Sequence, residues 1–180
     1  MLQITIPEGE FFDESTESFV IVKEQTLQLE HSLVSLSKWE SKWKKSFLST
    51  TEKTFEESID YIRCMTITQN VNPLVYQNIT PGIIAKVTEY IDLPMTATTF
   101  KDDNNRGHSR EIITSEIIYY WMITYGIPFE CQKWHLNRLL TLIRVCAIKN
   151  QQPKKMGRNE LANRNRSLNA ARRSRLNTKG

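Results

Sequence analysis

Residues 112–150, IITSEIIYYWMITYGIPFECQKWHLNRLLTLIRVCAIKN, hold the densest apolar material in the chain. They also contain two of its four tryptophans, two of its three cysteines and one of its three histidines. Gly126-Ile127-Pro128 divides the stretch, because glycine suits the position just past a helix end and proline stops continuation. Before the break, Thr114 or Ser115 is placed to cap a helix. There Ile117, Ile118, Tyr119, Tyr120, Trp121, Met122 and Ile123 leave no polar face, so burial on every side is expected. After it, a helix beginning near Phe129 or Cys131 carries Leu136, Leu139, Leu140, Ile143 and Ala147 as a stripe. The short break predicts antiparallel neighbours or a helix-turn-helix-like corner, and hence a rigid hairpin at the centre of the body.

Toward the N-terminus the period changes. Leu2-Gln3-Ile4-Thr5-Ile6 alternates as a half-buried strand does, Phe19-Val20-Ile21-Val22 is β-branched and aromatic, and Leu27 and Leu29 continue the alternation. Glu8-Gly9 and Asp13-Glu14-Ser15 supply turn residues. The first 30 residues therefore predict a small antiparallel β-ribbon that must lie on the helices or pair with another chain. Residues 31–150 predict helices. Ser32 caps one with Leu36, Trp39, Trp43 and Phe47 along a stripe, and Thr51 or Thr54 caps a second with Phe55, Ile59, Ile62 and Cys64 or Met65 inward. Asn70-Val71-Asn72-Pro73 interrupts, and residues 74–76 suggest a short helical turn. Thr80-Pro81 opens a third helix, with Ile83, Ile84, Val87 and Ile91, that stops before Pro94. Residues 95–100 (MTATTF) read as a short strand, and 101–110 (KDDNNRGHSR) as a loop. Trp39 and Trp43 fit either a core or the anchor of a partner surface.

Beyond residue 150 the composition shifts. Lys154, Lys155, Arg158, Arg164, Arg166, Arg172, Arg173, Arg175 and Lys179 face one acid, Glu160, giving +8; the whole chain is +4, so residues 1–150 carry −4. Leu161, Leu168 and Leu176 leave a faint amphipathic trace in a segment too polar for a core, which predicts a flexible or partly helical tail. The expected class is therefore α+β, mostly α. It comprises one compact helical domain over 1–150 with its N-terminal antiparallel ribbon, and a basic C-terminal tail over 151–180. Such a bipolar chain suits an acidic partner, nucleic acid or its own kind head to tail. Nothing approaches the roughly 18 apolar residues of a membrane span, the N-terminus lacks a secretion-signal pattern, and three scattered cysteines suit a reducing compartment.

The residues show little chemistry. Cys131 and His135 lie four apart, but zinc needs three or four ligands and Cys146 lies three helical turns further on. No glycine-rich turn beside a cysteine offers an oxyanion site, and Gly82, Gly107 and Gly157 match no phosphate loop. Glu56-Glu57 with Asp60 read as an exposed acidic helix face. No cofactor is implied. The tail offers counterion release to nucleic acid but has no aromatic residue for base stacking.

Residues 29–43 (LEHSLVSLSKWESKW), 113–122 (ITSEIIYYWM), 127–139 (IPFECQKWHLNRL) and 168–173 (LNAARR) together resemble tail assembly chaperones of tailed bacteriophages. The resemblance spans most of the chain and carries over no individual site residue. It implies a non-enzymatic protein of the host cytoplasm that keeps the long, hydrophobic, helical tape-measure protein soluble while tail tube subunits polymerise around it. Trp39, Trp43 and the leucine stripe would then supply apolar capture surface, and the basic tail would meet an acidic partner. Two other readings stay open. One is a structural virion component, such as a tail completion or connector protein. The other is a nucleic-acid-binding regulator that uses the tail.

Overall fold

The computed structural model describes residues 1–13, 17–100, 112–150 and 157–177. Its architecture is mostly α with a small antiparallel β part at the N-terminus.

The organising helix is α1 (Leu33–Trp43). Ser32 caps it reciprocally with Ser35: the Ser35 amide donates to the Ser32 hydroxyl, and the Ser32 amide to the Ser35 hydroxyl. Leu33, Leu36 and Trp39 are fully enclosed. The helix ends at Lys44, which adopts the left-handed conformation, so Phe47 is no longer helical although its ring is buried. α1 packs against α2 (Phe55–Met65), α4 (Ser115–Thr124) and a 3₁₀ turn, Phe129–Lys133. Residues 112–150, the expected centre, supply Ile118, Met122, Leu136, Leu139 and Ile143 to the same core, and α1 lies against two of their parts, α4 and the 3₁₀ turn.

α2 buries Ile62 and Met65 of its predicted stripe and packs Ile59 and Cys64 against the core, but Phe55 is exposed, and Glu57, Asp60 and Tyr61 are buried as well. The two acids tolerate this because each is paired. Glu57 accepts from the Thr54 amide at 2.8 Å, completing the capping box, and from Lys45 Nζ at 2.6 Å. Asp60 accepts from Trp43 Nε1 at 2.9 Å and Lys42 Nζ at 2.6 Å. They do not form the exposed acidic face that the sequence suggests.

The ribbon runs in two halves that keep one register. β1 (Leu2–Ile6) pairs with β4 (Gln25–Leu29), and β2 (Gly9–Asp13) with β3 (Ser18–Val22). Pro7, which has no amide hydrogen for a ladder, sits at the interruption between them. Ile4, Ile6, Leu27 and Leu29 are buried. The outer edge of β4 is covered by the segment after α2: the Glu30 amide donates to Met65 O at 3.0 Å and the Ile67 amide to Gln28 O at 2.8 Å. Gly9 begins β2 under Asn78, where an added Cβ would lie 1.8 Å from Asn78 Nδ2, and that nitrogen donates to Pro7 O. β2 lies within the predicted ribbon, but its two ends, Gly9 and Asp13, are residues expected in turns.

A 3₁₀ turn (Pro73–Asn78) leads to α3 (Pro81–Asp92), capped by Thr80. Residues 95–100 form no strand: once past Pro94, Phe100 lies against the Arg144 guanidinium at 3.9 Å rather than in a ladder. The loop over 101–110 lies outside the described residues. α4 is not buried all round. Tyr120 and Ile123 are 64% and 65% exposed, because α1 covers only the side bearing Ile118 and Met122. Nor does the following helix begin at Phe129. The 3₁₀ turn intervenes, and α5 (Leu136–Asn150) starts after His135.

The chain divides into two units, Met1–Ile148 and Lys149–Gly180. The second contains α6 (Arg158–Leu176), in which every described side chain is exposed.

Candidate binding surfaces

The two expected anchor tryptophans serve the interior. Trp39 is 0% exposed and donates from Nε1 to Glu57 O at 2.9 Å; Trp43 is half-buried and held by Asp60. They begin a series of rings through the body. Trp39 meets Phe47 edge-on at 5.1 Å, and Phe47 stacks on Tyr61 at 3.9 Å. Tyr61 meets His31 at 5.8 Å, His31 meets His135 at 5.1 Å, and His135 meets Tyr90 at 5.0 Å. A capture surface built on Trp39 is therefore ruled out by enclosure.

The polar groups of this series are satisfied internally. His31 Nδ1 and Tyr61 Oη are hydrogen bonded at 2.5 Å. His135 Nε2 faces Tyr90 O at 3.2 Å, so that nitrogen donates, and Nδ1 accepts from the Asn137 amide at 3.3 Å, capping α5. Tyr90 Oη donates to Glu30 at 2.7 Å. Burial, with His135 adding to it, lowers the His31 pKa to about 3, and burial also lowers that of His135. Both imidazoles are neutral structural groups at neutral pH.

Cys131 and His135 do not share a helix face, since Cys131 lies in the 3₁₀ turn and His135 precedes α5. Among the described residues no group of three or more His, Cys, Asp or Glu side chains could hold a metal ion. Burial pushes the Cys64 thiol up to about 11, the wrong direction for a nucleophile.

Three exposed features do suit binding. The first is a groove of about 440 Å³ beside α2 and α3, where exposed Leu48 and half-buried Ile84 and Ile91 lie over the buried Phe47, Ile62 and Val87, with Lys53, Ser58 and Asp92 among the polar residues of its lining. Ile84, Val87 and Ile91 follow helix spacing over two turns, about 10 Å. Lys53 closes one side, its Nζ 4.1 Å from the Phe47 ring and donating to Thr50 O at 2.7 Å. The sequence does carry a signal for this groove: the adjacent Ile83-Ile84 makes the α3 stripe wider than one packing partner covers. The second is the outer side of β2–β3, where Phe19 and Ile21 are 68% and 69% exposed beside Glu10, the cross-strand partner of Ile21.

The third is α6. At 3.6 residues per turn, Leu161, Leu168 and Leu176 share a side with Arg164, Arg172 and Arg175, while Arg166 and Arg173 fall opposite. Arg158 opens the helix; Lys154 and Lys155 lie outside the described residues.

Comparison with known proteins finds no matching family model, no similar curated protein and no similar solved structure. No helix among the described residues is long and apolar enough to cross a membrane.

Proposed function

We propose that the chain is a non-enzymatic tail assembly chaperone of a tailed bacteriophage that binds the tape-measure protein. The observation that carries this reading is the groove between α2 and α3. Half-buried Ile84 and Ile91 opposite exposed Leu48, with Lys53 and Asp92 also in the lining, suit the apolar face of a helical partner. Anchors at i, i+3, i+4 and i+7 on an incoming helix would enter such a groove, and a tape-measure protein offers that pattern many times over. The internal pairing of the buried acids and imidazoles supports binding over catalysis.

Co-expression with the tape-measure protein of the same phage tests it. The full chain is expected to bring the tape-measure protein into the soluble fraction as a complex. Ile84→Glu and Ile91→Glu are expected to abolish that recovery while leaving the thermal melt within a few degrees. Equal recovery with and without the chain would overturn the reading.

The alternative as a structural tail component is favoured by the exposed β2–β3 half of the ribbon, a surface suited to neighbours in an assembled particle. Mass spectrometry of purified virions separates the two, since a chaperone leaves and a component stays in fixed copy number. A nucleic-acid-binding role draws on the arginines of α6, and it predicts DNA retardation that weakens steeply with salt.

A further inference from the structure

We infer that copies of this chain associate head to tail, the β2–β3 half of the ribbon in one copy receiving α6 of the next. This goes beyond the chaperone reading and does not rest on it.

Each surface is incomplete in a way that the other supplies. The inner side of the half-ribbon packs on the body through Val22, Phe11 and Val20, while its outer side exposes Phe19 and Ile21 next to each other. Among the described residues of this half-ribbon and its connections, Glu8, Glu10, Glu17 and Glu24 are exposed, with Lys23 as the one exposed cation. α6 is a 19-residue helix with little apolar content, so its helical state gains from a partner. It carries six arginines against Glu160, and its three leucines lie on one side among Arg164, Arg172 and Arg175. Apposed, the leucines would cover Phe19 and Ile21, and the arginines would meet the glutamates at the rim, the usual layout of an apolar centre within a polar border.

Nucleic acid fits α6 less well. The helix has no aromatic residue to stack on a base, and the leucine stripe would be left against phosphates. Because the two surfaces differ, the pairing is heterologous: each copy keeps one of each free, and the assembly either closes into a ring or grows.

Sedimentation velocity of the full chain, freed of nucleic acid, at low and high salt tests this. At 50 mM salt, species larger than the monomer are expected to increase with concentration, and at 500 mM salt to dissociate. Glu8→Lys with Glu10→Lys, and separately Arg172→Glu with Arg175→Glu, are each expected to be monomeric. An equal mixture is expected to associate again, because the intact α6 of the first meets the intact ribbon of the second. Phe19→Thr with Ile21→Thr, which keeps every charge, is expected to weaken association at both salt concentrations, at least tenfold in Kd. A chain that stays monomeric at 50 mM salt overturns the inference. So does a variant mixture that stays monomeric, or duplex DNA retarded through α6 by a monomeric chain.

Discussion

His31 is where an ordinary residue acquires an unusual constraint. Its ring is enclosed between Tyr61, Phe47 and His135, and its pKa is lowered from 6.5 to about 3. A lowered imidazole pKa means that the unfolded chain takes up a proton which the folded chain refuses. Stability is therefore full above about pH 6.5 and falls as the pH drops through the window toward 3, at about 1.4 kcal/mol per pH unit from this group. His135 shifts in the same direction and adds to the slope. Urea unfolding at pH 7.5, 6 and 5 is expected to show a falling midpoint. His31→Gln is expected to be less stable at pH 7.5 but to have a shallower acid slope, and a midpoint that stays constant from pH 7.5 to 5 would refute the account. Glu40 illustrates a second constraint. From α1 it accepts the Phe47 amide on Oε1 at 2.9 Å and the Ser115 amide on Oε2 at 2.7 Å. Thr114, placed to cap α4, makes no side-chain cap bond, so a carboxylate from another helix serves the start of α4 in its place. Glu40→Ala strands two buried amides and is expected to cost about 2–4 kcal/mol. Glu40→Gln, which keeps one acceptor, is expected to cost less than half of that, as read by chemical denaturation.

Helices and strands were unequally legible. The caps at Ser32, Thr54 and Thr80 are local events, and each marks its helix start where the residue chemistry puts it. The period-2 run of residues 2–6 likewise forms β1. What periodicity could not convey is which face meets a partner. α2 buries Glu57 and Asp60 because ammonium, amide and indole donors reach them from residues 42–54, and no window of α2 contains those donors. α4 looks enclosed in sequence, yet only one side of it meets α1. The groove was legible only as a stripe too wide for one neighbour, and the start of β2 was hidden by its turn-forming glycine. The rank of α1 gives a direct test. Leu36→Ala, at its centre, is expected to cost about 2–5 kcal/mol, whereas Ile123→Ser, on the open side of α4, is expected to change stability by no more than about 0.5 kcal/mol. Thermal or urea unfolding of the pair decides; equal losses would contradict the placement of α1 at the core.

Taken across the chain, charge and apolar surface are segregated. A net charge of +4 conceals −4 over residues 1–150 and +8 beyond them. The groove lies in the unit Met1–Ile148 and the arginine helix in Lys149–Gly180. The two proposed activities are therefore separable. Ile84→Glu is expected to leave self-association intact, and Arg172→Glu with Arg175→Glu to leave the groove open to its partner.

The series of rings from Trp43 to Tyr90 also turns the protein's interior into an optical instrument. Trp43, Trp39, Phe47 and Tyr61, held in sequence at 3.9–6.3 Å in a chiral setting, are expected to give near-ultraviolet dichroism. That signal depends on their mutual packing, whereas the far-ultraviolet signal reports helix content. Two wavelengths on one sample thus follow core and backbone separately, and the imidazoles at the middle of the series make the core signal sensitive to the proton.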